Sequence, residues 1–171
     1  MKVTNNYYNQ STPSFGSRIV PSEVLEKTIS HFIDKPKRGQ DLLVGLKTLI
    51  NDGRYDKVEI RGTNGLADGS CDDYFAWAET HLFVNNKLTS DKYSNRTIDL
   101  YDKIPEDKME YVAEKWAENT QIFDVKKLLH DHIDNNSTLK NIKSTFDKVQ
   151  LSSNEVKLGL KDIYNYIFRV Q

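Results

Sequence analysis

Residues 73–84 read DYFAWAETHLFV, and the conformation of this stretch decides the fold of the chain. A strand places successive side chains on opposite faces, so an extended conformation would bury two apolar rows. These rows are Tyr74, Ala76, Ala78, Leu82 and Val84 on one face, and Phe75, Trp77 and Phe83 on the other. A helix is also credible, because Asp72 or Asp73 can cap it and apolar side chains recur at spacings of three and four.

The sequence around this stretch favours the strand. Residues 57–61 (KVEIR) and 96–101 (RTIDLY) alternate polar and apolar side chains, which is the period of a half-buried strand. Residues 85–88 (NNKL) are typical of a hairpin turn, and the pairs Asn64-Gly65 and Asp68-Gly69 are strong turn signals. The sequence therefore predicts three neighbouring strands in an antiparallel meander.

Helical periodicity fills most of the remaining chain. It predicts two N-terminal helices, over about residues 22–33 and 40–51, with Gly53 placed to end the second one in the left-handed conformation. After Pro105 it predicts helices over about residues 106–118 and 121–133.

Two more amphipathic helices suit the apolar residues of 139–149 and 156–168, the last capped near Ser152 or Ser153 with Glu155 in its first turn. The predicted fold class is thus α+β, with two N-terminal helices, a three-stranded antiparallel meander and a helical C-terminal half.

Length and composition predict one domain behind a tail. The chain has 171 residues, of which 37% are apolar and 29% charged, enough for a single core with a solvated surface. Residues 1–17 are rich in Asn, Ser, Thr and Tyr and are predicted to form a flexible N-terminal tail, with Phe15 as its one apolar anchor. Docking of this tail on the domain is favoured over a partner-binding motif. Residues 18–171 are predicted to form the single α+β domain.

The charge balance excludes a strong long-range field. Lys and Arg number 24 and Asp and Glu number 25, so nothing draws the whole molecule to nucleic acid or to an anionic membrane. No segment has the apolar run of a signal peptide or of a membrane span, and the single cysteine, Cys71, favours a reducing compartment. We therefore expect a cytoplasmic protein with no membrane partner. Richness in Asn, Lys, Asp and Ile points to an AT-rich coding genome, bacterial or phage.

Motifs for metal, phosphate or cofactor chemistry are weak in this sequence, and no cofactor is expected. In the loop of residues 63–73, Asp68, Asp72 and Asp73 offer oxygen ligands to a divalent cation, but their spacing does not match the calcium-loop template. His130 and His132 in the stretch HDHID are two residues apart and point about 200° apart on a helix, whereas helical metal pairs need three or four.

An enzymatic alternative rests on the same loop. Cys71 lies in it, Asp73 follows closely, and His81 is ten residues further on, so a thiol, an imidazole and a carboxylate are available to one site. No family-type cysteine motif or Gly-x-Ser-x-Gly elbow surrounds them. The sequence therefore favours a non-enzymatic protein over an enzyme.

Aromatic content is the remaining signal. The chain has nine Tyr, seven Phe and two Trp, and Tyr and Trp are enriched at binding surfaces. The candidate binding residues are Tyr55, Tyr93, Tyr101 and Trp77. The first hypothesis is a non-enzymatic domain that binds another protein through an aromatic-containing surface. The alternative is a small enzyme with a polar site near residues 63–73 and His81, and a nucleic-acid accessory protein ranks third.

Overall fold

The computed structural model describes residues 16–54, 56–68, 74–100 and 104–169. In these residues a four-stranded mixed sheet packs against five helices, so the fold class is α+β as predicted. The strands are β1 (Arg18–Ile19), β2 (Lys57–Asp68), β3 (Tyr74–Val84) and β4 (Tyr93–Leu100). The helices are α1 (Glu23–Asp34), α2 (Gln40–Ile50), α3 (Glu106–Asp134), α4 (Ser137–Phe146) and α5 (Ser153–Phe168). Short 3-10 turns cover Pro36–Arg38 and Ser90–Lys92.

The sheet contains the predicted meander together with a strand that the sequence did not predict. The strand order is β1-β2-β3-β4, and β2, β3 and β4 pair antiparallel, so residues 74–84 do form a strand in the middle of the sheet, as predicted. The three-stranded antiparallel description is wrong in detail, because β1 pairs in parallel with the start of β2. A strand of two residues is too short to show the alternation on which the prediction depends.

Hydrogen bonds fix Ser17, the residue directly before β1. The Ser17 N–H donates to the Leu49 carbonyl at 3.0 Å, and the Ser17 hydroxyl donates to buried Asp52 at 3.2 Å. Residues 1–15 of the predicted tail lie outside the described residues.

The turn predicted at Asn64-Gly65 is wrong, because both residues lie inside β2. Gly65 pairs directly with Trp77 on β3, and cross-strand contact with a large aromatic side chain outweighs the local turn preference. The turn predicted after β3 is confirmed. Asn85 and Asn86 have φ angles of 52° and 64°, which is the left-handed pair that a tight hairpin turn requires.

The predicted break between residues 118 and 121 is also wrong, because α3 is continuous from Glu106 to Asp134. Nothing there is a strong helix breaker, and tertiary contacts support the middle of the helix. The Gln121 side-chain amide donates to the carbonyls of Thr63 and Glu79 at 2.9 and 3.1 Å, which ties α3 to two strands.

Two predictions about helix ends have opposite outcomes. Gly53 does not end α2 in the left-handed conformation, since no described glycine has a positive φ. The helix ends at Ile50, and the N–H of the C-cap residue Asn51 donates to the Lys47 carbonyl. The capping box at Ser152 and Glu155 is present at the start of α5, as predicted.

The helices cover one face of the sheet. The even-numbered residues of β3 from Ala76 to Leu82 are buried. Both core clusters take their sheet residues from this inner face alone, and these residues are Ile19, Val58, Ile60, Leu66, Tyr74, Ala76, Leu82 and Leu100. The odd-numbered residues of β3 form the outer face and stay half-buried. The expectation that β3 would be buried on both faces is therefore wrong within the described residues.

Candidate functional site

An aromatic row occupies the outer face of the sheet. It consists of Phe75, Trp77, His81 and Phe83 on β3, and of Tyr93 on β4. Tyr93 is opposite His81 in the antiparallel register, and its side chain is 37% exposed. An antiparallel sheet with one wet face ordinarily alternates apolar and polar residues along each strand. This outer face breaks that pattern, because its central strand is mostly aromatic.

The rings of this row pack on one another and on an arginine. The ring centroids of His81 and Tyr93 are 4.6 Å apart, and those of His81 and Phe83 are 6.2 Å apart. The Arg61 guanidinium lies 4.5 Å from the centroid of the Phe83 ring, which is a cation–π contact. These contacts hold the side chains in defined positions while the residues of the row remain partly exposed to solvent.

Trp77 is positioned by a glycine on the neighbouring strand. A Cβ atom added at Gly65 would lie 2.7 Å from the indole ring, closer than any carbon contact allows. The indole therefore lies directly on the Gly65 backbone. An aromatic ring over a strand glycine covers backbone that would otherwise be exposed, which explains why this glycine is tolerated in the strand.

Polar groups are interleaved with the rings. The Tyr93 hydroxyl donates to Glu79 Oε1 at 3.0 Å, Thr63 Oγ1 is 3.5 Å from Glu79 Oε2, and His81 Nε2 is 3.9 Å from the same oxygen. Desolvation, together with this hydrogen bond to Glu79, raises the pKa of the Tyr93 hydroxyl. Tyr93 is thus a hydrogen-bond donor at neutral pH. The cluster suits recognition, since it combines aromatic area with directed polar groups.

Of the residues singled out from the sequence, the structure brings Trp77, Tyr93 and His81 onto this one face. Tyr55, Tyr101, Cys71, Asp72 and Asp73 lie outside the described residues. Asp68 pairs with Tyr74 at the far end of the hairpin, whereas His81 pairs with Arg61. Seven residues of strand at 3.3 Å each separate these two positions by about 23 Å, so Asp68 and His81 do not share a site.

Metal ligands do not converge in the part of the chain that the structure describes, where no group of three or more His, Cys, Asp and Glu side chains is placed to hold an ion. His130 instead contacts Asp134, with 2.8 Å between Nε2 and Oδ2.

A groove between β4 and α3, which the sequence did not reveal, is the second candidate site. Its wider cavity has a volume of about 580 Å³ and is lined by Asn95, Arg96, Thr97, Ile98, Trp116, Thr120, Phe123 and Asp124. A narrower cavity of about 310 Å³ is lined by Ser90, Asp91, Tyr93, Ser94, Arg96, Asp124, Lys127, Leu128, Asp131 and Asn135. The only sequence signal for this groove is the helical spacing of Trp116, Thr120 and Phe123, which is visible once α3 is known to be continuous.

No family model, curated protein or solved structure matches this chain. None of the described helices is long and apolar enough to span a membrane.

Proposed function

We propose that this protein is a non-enzymatic interaction domain that binds another protein through the outer face of its sheet. One observation carries the proposal: the aromatic row lies on a face to which the described helices contribute no core residue. Large aromatic side chains with few rotatable bonds bury much area at low entropic cost, which is why they dominate binding hot spots.

The arrangement of the row supports recognition of a protein. Trp77 is held flat by Gly65, and Tyr93 is oriented by Glu79, so the two largest contact groups are positioned before a partner arrives. Such preorganisation lowers the entropy lost on binding. The polar atoms of Glu79 and His81 lie between the rings and supply directional contacts.

Charge on the outer face does not favour nucleic acid. The cations Arg18, Lys57 and Arg61 are matched in number by Glu59, Glu79 and Asp99, and Arg61 is already paired with Glu59 at 2.9 Å. Binding to a phosphate backbone would need an excess of unpaired cations. The small-enzyme alternative has less support than the interaction domain, since Asp68 and His81 are far apart.

Site-specific photo-crosslinking in the native host cells tests the proposal. A photoreactive phenylalanine analogue replaces Tyr93 in the full chain, and the same analogue replaces Leu158, a 52% exposed residue of α5, as the matched control. We expect a discrete protein adduct from position 93 and none of that mass from position 158.

A second pair of variants ties the adduct to the aromatic row. Trp77→Thr with Phe83→Thr keeps strand-forming residues on β3 and is expected to reduce the adduct by about tenfold. Leu158→Gln leaves it unchanged. Circular dichroism checks that each variant is folded. Absence of a specific adduct, or an adduct that survives the double substitution, would overturn the proposal.

A further inference from the structure

β4 forms an open edge of the sheet, distinct from the outer face. It is last in the strand order, so within the described residues only β3 pairs with it. An edge strand has backbone N–H and C=O groups that point away from its neighbour and can pair with an added strand. The sequence of β4, YSNRTIDL, contains neither Pro nor Gly, the residues that interrupt such pairing.

α3 forms the opposite wall of the groove beside this edge. Trp116, Thr120 and Phe123 line the wider cavity at spacings of four and three, which place them on one side of the helix. Ile98 faces them from β4. Ile98 and Phe123 are 39% and 49% exposed, so the wider cavity presents apolar surface to solvent.

Arg96 lines both cavities and therefore lies between them. Its Nε donates to both oxygens of buried Asp124, at 3.0 and 3.1 Å. An inward-pointing charge is one device that prevents edge strands from pairing. Here Asp124 holds the Arg96 guanidinium against α3, so the backbone edge of β4 stays accessible to an added strand.

The narrower cavity has an excess of negative charge. It contains the carboxylates of Asp91, Asp124 and Asp131 and the cations of Arg96 and Lys127. Lys127 Nζ is 2.6 Å from Asp131, and Arg96 is paired with Asp124. Asp91 forms no salt bridge with either of these cations, and Lys92, the cation nearest to it in sequence, is not among the residues that line the cavity. A ligand that brings one positive charge would balance this cavity.

We propose that the groove between β4 and α3 binds an extended peptide segment of a partner protein, which adds an antiparallel strand to β4. Antiparallel pairing is the more stable geometry for each residue. Alternate side chains of the added strand lie on one face, about 6.8 Å apart, and meet Ile98, Arg96 and Ser94 in turn.

The chemistry of the groove defines what the peptide contains. Its side chain opposite Ile98 is apolar and enters the wider cavity. The next peptide side chain on this face lies opposite Arg96 and is small, because the Arg96 side chain occupies that part of the groove. The third, opposite Ser94, is Lys or Arg and lies near Asp91. The recognised pattern is an apolar residue followed four positions later by a basic one, and it does not depend on the function proposed for the outer face.

Selection from a phage-displayed library of linear 12-residue peptides tests this proposal on the full chain. We expect enrichment of the apolar-x-x-x-basic pattern. Ile98→Asp should weaken the selected synthetic peptide by about tenfold in fluorescence anisotropy, because it places a charge in the apolar cavity. Leu158→Asp, the same kind of substitution at an exposed residue of α5 that lines neither cavity, is the matched control and should stay within about twofold.

Charge recognition has its own readout. Replacing the basic residue of the selected peptide by Gln should weaken its binding to the wild type by about fivefold and its binding to Asp91→Asn by less than twofold. N-methylation of single peptide bonds should abolish binding at alternate positions only, since every second N–H of an added strand faces β4.

Three results would overturn the proposal. The first is no enrichment, or enriched peptides that tolerate Ile98→Asp. The second is N-methylation effects without alternation, which would show that no strand is added. The third is occupancy by the chain itself: a dimer that Ile98→Asp dissociates, or peptide binding that requires deletion of residues 1–15.

Discussion

The inner and outer faces of the same sheet follow different rules although they alternate along the same strand. Ala76, Ala78 and Leu82 on the inner face are completely buried, whereas Trp77 and Phe83 on the outer face are half-buried and contact other residues of the sheet. Large apolar side chains occur in both rows, but the outer row also contains Glu79 and His81. The apolar residues of a row therefore do not by themselves make its face the core; the face on which the helices pack becomes the core.

Side-chain size explains why the helices pack on the inner face. Its middle is lined by Gly62, Ala76 and Ala78, and α3 brings the small residues Ala113 and Ala117 to its buried side. Small residues on both surfaces let a helix approach the sheet closely and fill the space between them. The bulky rings of the outer face would hold a helix further away.

Truncation of two adjacent residues should show the largest difference between the faces. Leu82→Ala leaves a cavity in the core and is expected to lower the free energy of unfolding by about 3 kcal/mol. Phe83→Ala removes a ring that remains half in water, and about 1 kcal/mol is expected. Urea denaturation measures both. Equal losses would mean that the outer face is covered as fully as the inner one.

The buried side chain of His132 should make the folding stability of the protein depend on pH. Burial, with Lys92 and Arg54 nearby, lowers the pKa of His132 to about 4, and Asp56 and Asp91 only partly oppose this. The unfolded chain binds the proton near pH 6.5, so the stability contributed by neutral His132 is complete above that pH and is lost as the pH falls to about 4.

The expected loss over this window is up to about 3 kcal/mol. His132→Gln removes the titrating group and should lose less stability between pH 7 and pH 4.5 in urea denaturation. Identical pH dependence in both proteins would show that this interior accepts the imidazolium charge.

Two glycines on opposite faces of β2 should respond differently to alanine. A Cβ at Gly62 would lie 3.0 Å from Gln121 Nε2 and 3.1 Å from Val24 Cβ, within the closely packed inner layer. Gly62→Ala is expected to destabilise by about 1–2 kcal/mol through overpacking. Gly65→Ala should cost less than about 1 kcal/mol, because the Trp77 ring can move into solvent.

The indole N–H resonances in a two-dimensional NMR spectrum monitor that movement. Gly65→Ala should shift the Trp77 signal while the Trp116 signal serves as the internal reference. An unchanged Trp77 signal would contradict the close contact between this ring and Gly65.

Two threonines provide the smallest contrast. Thr80 Oγ1 is buried on the inner face and has no hydrogen-bond partner among the described residues. Thr80→Val keeps the shape, removes an unsatisfied hydroxyl and should stabilise the protein by about 1 kcal/mol in thermal or urea unfolding. Thr63→Val on the outer face should change stability by less than about 0.5 kcal/mol. Destabilisation by Thr80→Val would indicate an unseen partner for the hydroxyl.

Local sequence patterns predicted the elements whose signals are local. The alternation around Trp77, the paired asparagines at 85 and 86 and the capping box at Ser152 each rest on neighbouring residues, and each is present in the structure. Predictions failed where a contact between residues far apart in the chain determines the local conformation. Gly65 is extended because Trp77 covers it, and α3 continues through Gln121 because that side chain bonds to two strands.

The candidate sites, too, were predictable only as far as their signals are local. Aromatic residue types pointed to Trp77 and Tyr93, but their common face follows from the register of β3 against β4. The groove depends on the packing of α3 beside β4, which no local pattern encodes.

Residue types and their spacing were sufficient to predict the α+β class, the central strand and the apolar residues on both of its faces, because backbone periodicity shows in a local pattern. Tertiary packing was needed to show which row faces the helices, which side chains share the outer face and where β4 leaves an open edge. These features arise from contacts between residues far apart in the chain, and packing of small residues against α3 selects among arrangements that local preferences leave equal.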